Sequence, residues 1–132
     1  MAQPDYALKT TNGVEFSRQP PRVLIVDDEP RMLTALSELL RMRNHDVTAA
    51  SSGRLAIELL RDQHFDLVLL DLNMPGTDGF AVMAHIERHN KQTATIVVSG
   101  DTTIDAAIRA MRQGVHDFVR KPYAPEYLLR II

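Results

Sequence analysis

The sequence predicts an α/β fold in which a five-stranded parallel sheet is covered by helices on both faces. Short β-branched or aliphatic runs alternate five times with amphipathic helical stretches. The runs are apolar without alternation, as expected of strands that are buried on both faces. The chain has 132 residues, of which 45% are hydrophobic and 24% charged, so we expect one globular domain with one core.

The start of the chain differs in composition from the rest. Residues 1–20 show no sustained period and contain scattered polar residues, Gly13 and Pro20. We therefore expect residues 1–20 to be a flexible leader or linker and residues 21–132 to be the folded domain.

The sequence indicates the boundaries of the first two βα units. The apolar run at residues 23–26 ends abruptly in Asp27-Asp28-Glu29, and Pro30 suits the first turn of the helix that comes next. Residues 46–50 predict a weaker strand at an edge of the sheet, and a helix from about residue 52 to residue 61 completes the second unit.

The remaining three units have clearer boundaries. The strand at residues 66–71 ends in acid, and a loop of turn residues leads into a helix through Arg88. The fourth strand, residues 95–98, precedes a helix that stops at Gly114, the usual C-terminal capping residue. The fifth strand, residues 116–121, precedes a last helix of barely two turns, which predicts that this helix is truncated and that an output domain lies outside the chain.

Charge and composition argue against several functional classes. Fifteen basic and seventeen acidic residues give a net charge of −2, so we expect no direct binding to nucleic acid or to an anionic membrane. The chain has no cysteine, which excludes disulfides, thiolate metal sites and cysteine nucleophiles. No apolar run approaches the roughly 18 residues of a membrane span, and no secretory signal is visible, so we expect a cytoplasmic location.

Polar side chains stand at the carboxyl ends of four predicted strands. Asp27 and Asp28 follow the first strand, Asp71 ends the third, Ser99 follows the fourth and Lys121 ends the fifth. In a parallel sheet these ends share one edge, where ligands bind. Three carboxylates about 5 Å apart would repel by roughly 3 kcal/mol per pair at an effective dielectric near 20. The cluster therefore predicts a bound cation.

Oxygen ligands without cysteine or histidine favour Mg²⁺, or Mn²⁺ in its place, over Zn²⁺. Mg²⁺ typically binds one or two carboxylates together with a phosphoryl oxygen, while a lysine supplies a second positive charge. Asp71 is the natural nucleophile of such a site, since a carboxylate can form an acyl phosphate when the developing charge is neutralised.

Four segments, occurring in the same order, resemble the signature segments of the bacterial response-regulator receiver domain. They are Val26-Asp27-Asp28-Glu29, Leu70-Asp71-Leu72-Asn73-Met74-Pro75-Gly76-Thr77-Asp78-Gly79, Val98-Ser99-Gly100 and Val119-Arg120-Lys121-Pro122. The resemblance runs from about residue 22 to residue 132. It implies a flavodoxin-like, doubly wound sheet in the strand order 2-1-3-4-5.

The same resemblance implies roles for the acidic residues. Asp71 receives a phosphoryl group from a phosphohistidine on a sensor histidine kinase or phosphotransfer protein. Asp28 and Asp71 bind Mg²⁺ directly, Asp27 binds it through water, and the backbone carbonyl of Asn73 is a further ligand. Lys121 contacts the phosphoryl oxygens.

The resemblance also implies a switch. Ser99, followed by Gly100, hydrogen-bonds the phosphorylated aspartate, and Phe118 turns from an exposed to a buried rotamer. The peptide bond before Pro122 is expected to be cis. The implied protein is a signalling module and not an enzyme. Its kinase docks against the first helix and the loop after Lys121, and its output or homodimer face is built from the fourth helix, fifth strand and fifth helix.

Three alternatives compete with this interpretation. A phosphohydrolase with an aspartyl nucleophile generally needs a second acid two positions on, where Asn73 stands. A flavin mononucleotide carrier needs a phosphate-cradling loop after the first strand, where Asp27-Asp28-Glu29 stands. His85 and His89 have a spacing that zinc sites use, but no third ligand is visible, and a solvated helix face is the preferred explanation of both histidines.

Overall fold

The computed structural model describes residues 7–9, 15–17, 19–72, 74, 79–100 and 104–132. The strands are β1 (Ala7–Lys9), β2 (Glu15–Ser17), β3 (Arg22–Val26), β4 (Asp46–Ala50), β5 (Leu67–Leu70), β6 (Ala94–Ser99) and β7 (Asp117–Arg120). The helices are α1 (Pro30–Met42), α2 (Gly53–Asp62), α3 (Gly79–His89), α4 (Ile104–Arg112) and α5 (Pro125–Ile131).

Five strands form one parallel sheet in the order β4-β3-β5-β6-β7. Counted among the strands of this sheet alone, the order is the predicted 2-1-3-4-5, and the strand predicted to be weak and at an edge is β4. None of the helices in the described ranges is long and apolar enough to cross a membrane.

A short antiparallel pair, β1 with β2, lies within the segment interpreted as a leader, with Leu8 opposite Phe16. The sequence does not predict this pair, because strands of three residues contain too few positions to show a period.

Alternate side chains of the strands bury on opposite faces of the sheet, as the pleat requires. One core cluster joins Leu24, Val68 and Val97 to residues of α2, α3 and α4, such as Leu60 and Val82. The other joins Val23, Leu69 and Ile96 to residues of α1 and α5, such as Leu40 and Leu128. Helices therefore cover both faces, which explains why the central strands are apolar without alternation.

Two helices end in left-handed caps. Gly114 has a φ of +79° after α4, and the amides of Gly114 and Val115 donate to the carbonyls of Met111 and Ala110. Asn44 has a φ of 65° after α1. The first cap confirms the predicted helix end at Gly114, and both have the hydrogen-bond pattern of a Schellman motif.

Candidate metal and phosphoryl site

The acidic residues meet at the carboxyl edge of the sheet. Val26 pairs with Leu70 across β3 and β5, so the residues that follow these strands are neighbours. One carboxylate oxygen from each of Asp27, Asp28 and Asp71 lies within 4.8 Å of the others. Asp27 is 3% exposed and Asp71 7%, whereas Asp28 is open to solvent. The structure thus confirms the predicted meeting of these side chains.

Lys121 reaches the same cluster from the end of β7. Its Nζ lies 2.8 Å from Asp27 Oδ2 and 3.4 Å from Asp71 Oδ2. The Lys121 amide donates to the Ser99 carbonyl at 2.9 Å, and the peptide bond before Pro122 is cis, as predicted. Burial lowers the pKa of Lys121, but its hydrogen bond to Asp27 and the charges of Asp27 and Asp71 outweigh burial, so the pKa is raised overall.

Asp27 is held from two sides. Its Oδ1 accepts a hydrogen bond from the Glu29 amide at 3.0 Å, and its Oδ2 accepts one from Lys121. The first of these bonds shapes the turn between β3 and α1. Asp27 therefore orients Lys121 toward Asp71 as well as adding charge to the cluster.

The donor set fits a hard divalent cation. Three carboxylates and one ammonium group leave a formal excess of two negative charges in a partly buried site, which is unfavourable without a counter-ion. Carboxylate oxygens are the ligands that Mg²⁺ prefers. Asn73, whose backbone carbonyl is a predicted ligand, lies outside the described residues.

The remaining predicted site residues lie on the next two strands. Ser99 is the last residue of β6, and its side chain is completely buried. Gly100 follows it and is exposed, with open space where a side chain would stand. Phe118 on β7 is half-buried and packs against the core cluster of α2, α3 and α4. Its predicted change of rotamer stays a prediction.

The packing role of Gly79 is not visible in the sequence alone. A Cβ atom at this position would lie 2.6 Å from the Asp71 carbonyl oxygen and 2.6 Å from Leu72 Cα. Such distances are far inside van der Waals contact, so only glycine lets α3 begin this close to Asp71. In the sequence Gly79 is visible only as a turn residue, because its neighbour in space is seven or eight residues away in the chain.

The contact made by Tyr123 is a second feature that the sequence alone does not reveal. Its hydroxyl donates to the Met32 sulfur at 3.3 Å, which connects the segment after Lys121 to α1. Burial raises the pKa of Tyr123 to about 12; the positive charge of Lys121 opposes this rise, and the negative charge of Asp27 adds to it. The signal in the sequence is an aromatic residue directly after Lys121-Pro122.

Comparison with known protein families identifies the family of this chain. The family model described as the response regulator receiver domain matches residues 23–132. The chain belongs to the response-regulator receiver family. The match covers all of the parallel sheet except Arg22, both core clusters and the acidic site, which are therefore features of a receiver domain of two-component signalling proteins.

The relatives of this receiver domain include larger regulatory proteins. It is 33% identical over 111 residues to regulatory protein AtoC of Escherichia coli, an alignment that covers 84% of this chain and 24% of AtoC. It is 36% identical over 100 residues to transcriptional regulatory protein ZraR of Escherichia coli, covering 76% of this chain and 23% of ZraR. The chain thus spans about a quarter of the length of these relatives.

Solved receiver structures have the same fold. A response regulator receiver protein from Pseudomonas putida is 33% identical, with a TM-score of 0.81 over 85% of this chain and 94% of that one. A CheY-like receiver domain protein from Methanospirillum hungatei is 22% identical, with a TM-score of 0.80 over 84% of this chain and 89% of that one.

Proposed function

We propose that this receiver domain accepts a phosphoryl group on Asp71 from the phosphohistidine of a sensor kinase or phosphotransfer protein. The main observation is that Asp71 shares a partly buried site with Lys121, at 3.4 Å, and with the carboxylates of Asp27 and Asp28. An Asp71 oxygen forms the new bond to phosphorus while the bond from phosphorus to the imidazole nitrogen breaks. The donor ring, protonated on its other nitrogen, takes the electron pair of the broken bond and leaves as neutral imidazole.

The residues of the site would have separate roles in holding Mg²⁺ and in contacting the phosphoryl group. Asp28 and Asp71 would hold Mg²⁺ directly, Asp27 through water, and the Asn73 carbonyl would complete the protein ligands. Mg²⁺ supplies positive charge beside the transferred phosphoryl group. Lys121 has a raised pKa and stays charged, so it can move its hydrogen bond from Asp27 to a phosphoryl oxygen. Mn²⁺ has similar ligand preferences and would substitute.

The donor protein would dock beside the acceptor, on an apolar groove between α1 and the segment after Lys121. The groove has a volume of about 220 Å³ and is lined by Met32, Ala35, Leu36, Leu39, Pro122 and Tyr123. It starts at Pro122, the residue next to Lys121, so a helix bound in the groove would lie near the acidic site. An amphipathic helix is a fitting occupant because it presents apolar side chains at a regular spacing.

The signal would be transmitted to other proteins through the surface formed by α4, β7 and α5. Ser99 would form a hydrogen bond to the phosphorylated Asp71. The Phe118 side chain would then turn from an exposed to a buried rotamer. Among the described side chains of α4 and α5, three large apolar ones are exposed: Ile108 at 45%, Met111 at 57% and Tyr127 at 43%. Phosphorylation would shift the population of conformations of this face, through which the domain would form a homodimer or contact an output domain.

The domain would act as a cytoplasmic signalling module and not as an enzyme for a diffusible substrate. The relatives that the chain matches over about a quarter of their length are described as regulatory proteins. We propose by analogy that an output domain belongs to the whole protein.

Beryllofluoride, a mimic of the phosphoryl group, provides the test. A solved relative, 26% identical with a TM-score of 0.76, is described as a BeF3-activated receiver domain. With Mg²⁺ and beryllofluoride, amide resonances around Asp71, Ser99 and Phe118 should shift in the parent protein and stay in place in Asp71→Asn. With a small acyl phosphate and Mg²⁺, intact mass spectrometry should show one added phosphoryl group that Asp71→Asn lacks.

Asp62→Asn is the matched control, since Asp62 is an exposed carboxylate at the end of α2. It should behave as the parent does. If Asp71→Asn is modified to the same extent as the parent, or if the parent shows no response, phosphorylation at this site is disproved. Steady turnover of small phosphate esters would contradict the assignment as a signalling module.

A further inference from the structure

A second polar pocket lies between the C-terminal ends of α2 and α3. It has a volume of about 380 Å³ and is lined by Leu60, Arg61, His85, His89 and Asn90. Gly79, beside Asp71, is six residues from His85 and ten from His89 along α3, which is roughly 9 Å and 15 Å at 1.5 Å per residue. The pocket is therefore separate from the acidic site, and the proposed phosphotransfer makes no use of it.

The two histidine rings face each other across one turn of helix. Their centroids are 4.8 Å apart, and the ring planes are inclined by 43°. Zinc lies about 2.0–2.1 Å from a ligating histidine nitrogen, and therefore roughly 3.2 Å from that ring's centroid. Two rings on one ion near the tetrahedral angle would then have centroids about 5 Å apart. The observed separation matches that arrangement, and the spacing of four residues is one that helical zinc sites use.

The pocket also contains polar atoms that lack hydrogen bonds. His85 Nε2 and Asn90 Oδ1 are both buried, and neither has a hydrogen-bond partner within the described part of the chain. Asn90 Nδ2 donates to the Leu60 carbonyl at 3.2 Å, which holds the amide with its oxygen free to accept. Buried polar atoms without partners are costly, so a ligand that satisfies both atoms would be stabilising. His85, on the helix face that the sequence predicts to be solvated, is thus partly buried.

The charges around the pocket have opposing effects on a cation. Burial lowers the pKa of His85, and the nearby His89 and Arg61 lower it further, which favours the neutral imidazole that binds metals. Arg61 is itself a positive charge beside the pocket and opposes a cation directly. Its side chain is exposed at the end of α2 and can turn toward solvent.

We propose that His85 and His89 form a binding site for a borderline divalent metal ion of the zinc class, with the Asn90 side-chain oxygen as third ligand and water as the fourth. Imidazole nitrogens and one amide oxygen suit Zn²⁺ better than Mg²⁺, which prefers carboxylates and water. An ion here would join the end of α3 to the loop after it, and it would leave the acidic site available for Mg²⁺.

The test is a calorimetric titration of the 132-residue chain, prepared without a histidine tag, with Zn²⁺ in the presence of saturating Mg²⁺. One Zn²⁺ should bind per chain. His85→Gln and His89→Gln should each weaken binding by about tenfold or more, and Asn90→Ala should weaken it less, as expected for loss of a strong or a weak ligand. His116→Gln is the matched control, because His116 is exposed and lies outside α3, directly before β7, and it should bind Zn²⁺ as the parent does.

Arg61→Gln gives the sharpest distinction. Removing this positive charge should tighten Zn²⁺ binding. If the pocket takes an anion instead, the parent should bind inorganic phosphate there, and Arg61→Gln should weaken the binding of phosphate. Nitrogen resonances of the His85 and His89 rings, followed in the parent protein, give a readout that does not depend on how the variants fold. The proposal is overturned if those resonances do not shift when Zn²⁺ is added, if His85→Gln binds Zn²⁺ as tightly as the parent does, or if Arg61→Gln weakens the binding of Zn²⁺.

Discussion

Single side chains in this receiver domain are placed by contacts that join distant parts of the chain. Lys121 and Asp27 are 94 residues apart in sequence, yet their Nζ and Oδ2 atoms are 2.8 Å apart. Gly79 is required because the Asp71 carbonyl would collide with any Cβ atom there. The chemical type of a residue could be read from the sequence, but these contacts could not be, because they depend on how β3, β5 and β7 are brought together.

A buried hydroxyl provides the first prediction at this scale. Ser37 in α1 is 5% exposed, and its Oγ has no hydrogen-bond partner within the described residues. Ser37→Ala should raise the free energy of unfolding by about 1 kcal/mol, because it removes an unsatisfied group and favours the helix. Urea denaturation measures the change. Thr34→Ala, at an exposed position of the same helix, controls for helix propensity; a smaller gain for Ser37→Ala than for Thr34→Ala would contradict the explanation.

Tyr123 provides a prediction about pH. Burial raises its pKa from 10.0 to about 12; Lys121 opposes the rise and Asp27 adds to it. In the unfolded chain the phenol loses its proton near pH 10, while in the folded protein it keeps the proton to about pH 12. The unfolded state then binds fewer protons in this window, so stability falls as pH rises from 10 toward 12.

Ultraviolet absorbance of tyrosinate measures this directly. The difference between the titrations of the parent and Tyr123→Phe should show one group that ionises near pH 12. The stability of Tyr123→Phe should fall less than that of the parent over the same range. A difference titration centred near 10.0 would show that Tyr123 is not shielded as the structure indicates.

At the scale of elements, helix ends are set by short capping motifs that can be recognised in the sequence. Ser52 caps α2 by accepting a hydrogen bond from the Leu55 amide at 3.1 Å. Gly114 ends α4 with a φ of +79°, as the sequence predicts. These boundaries were predictable because a cap depends only on a few neighbouring residues. The pairing of β1 with β2 was not, since such short strands carry no periodic pattern.

The cap at Gly114 provides the prediction at this scale. An added Cβ atom would meet nothing within 4 Å, so a substitution there costs only the left-handed backbone conformation. Gly114→Ala should lower the free energy of unfolding by about 1 kcal/mol, measured by urea denaturation. Gly100→Ala is the matched control, because Gly100 has equal space and no φ in the left-handed range. Equal stability of the two variants would show that the cap is not held in this conformation.

At the scale of the whole molecule, stability and function compete at the acidic edge. The sheet holds Asp27, Asp28 and Asp71 within 4.8 Å of one another, an arrangement that repels itself when no cation is bound. A fold selected only for stability would separate these charges. The structure keeps them together with a single lysine, which is consistent with the proposed binding of a divalent ion and a phosphoryl group.

Removal of one charge tests this competition. Asp28→Asn should raise the melting temperature by a few degrees in the presence of EDTA, because it relieves repulsion without opening the core. Mg²⁺ at ten times its dissociation constant should stabilise the parent by about 1.4 kcal/mol and should stabilise Asp28→Asn much less. Asp62→Asn should keep the full response to Mg²⁺. An equal Mg²⁺ response in the parent and in Asp28→Asn would show that Asp28 is not a ligand.

The sequence by itself determined the fold class, the order of the elements from β3 to α5 and the residue types at the site. These properties depend on the periodicity of hydrophobic residues, on helix-capping residues and on the rule that parallel strands end at one edge of the sheet. All three can be applied to short stretches of the sequence. Tertiary structure alone decided which atoms meet: the Lys121–Asp27 hydrogen bond, the close approach at Gly79, and the pocket that joins His85 to Asn90. Such contacts depend on distances across packed elements to within about an ångström, and no pattern along the chain encodes them at that precision.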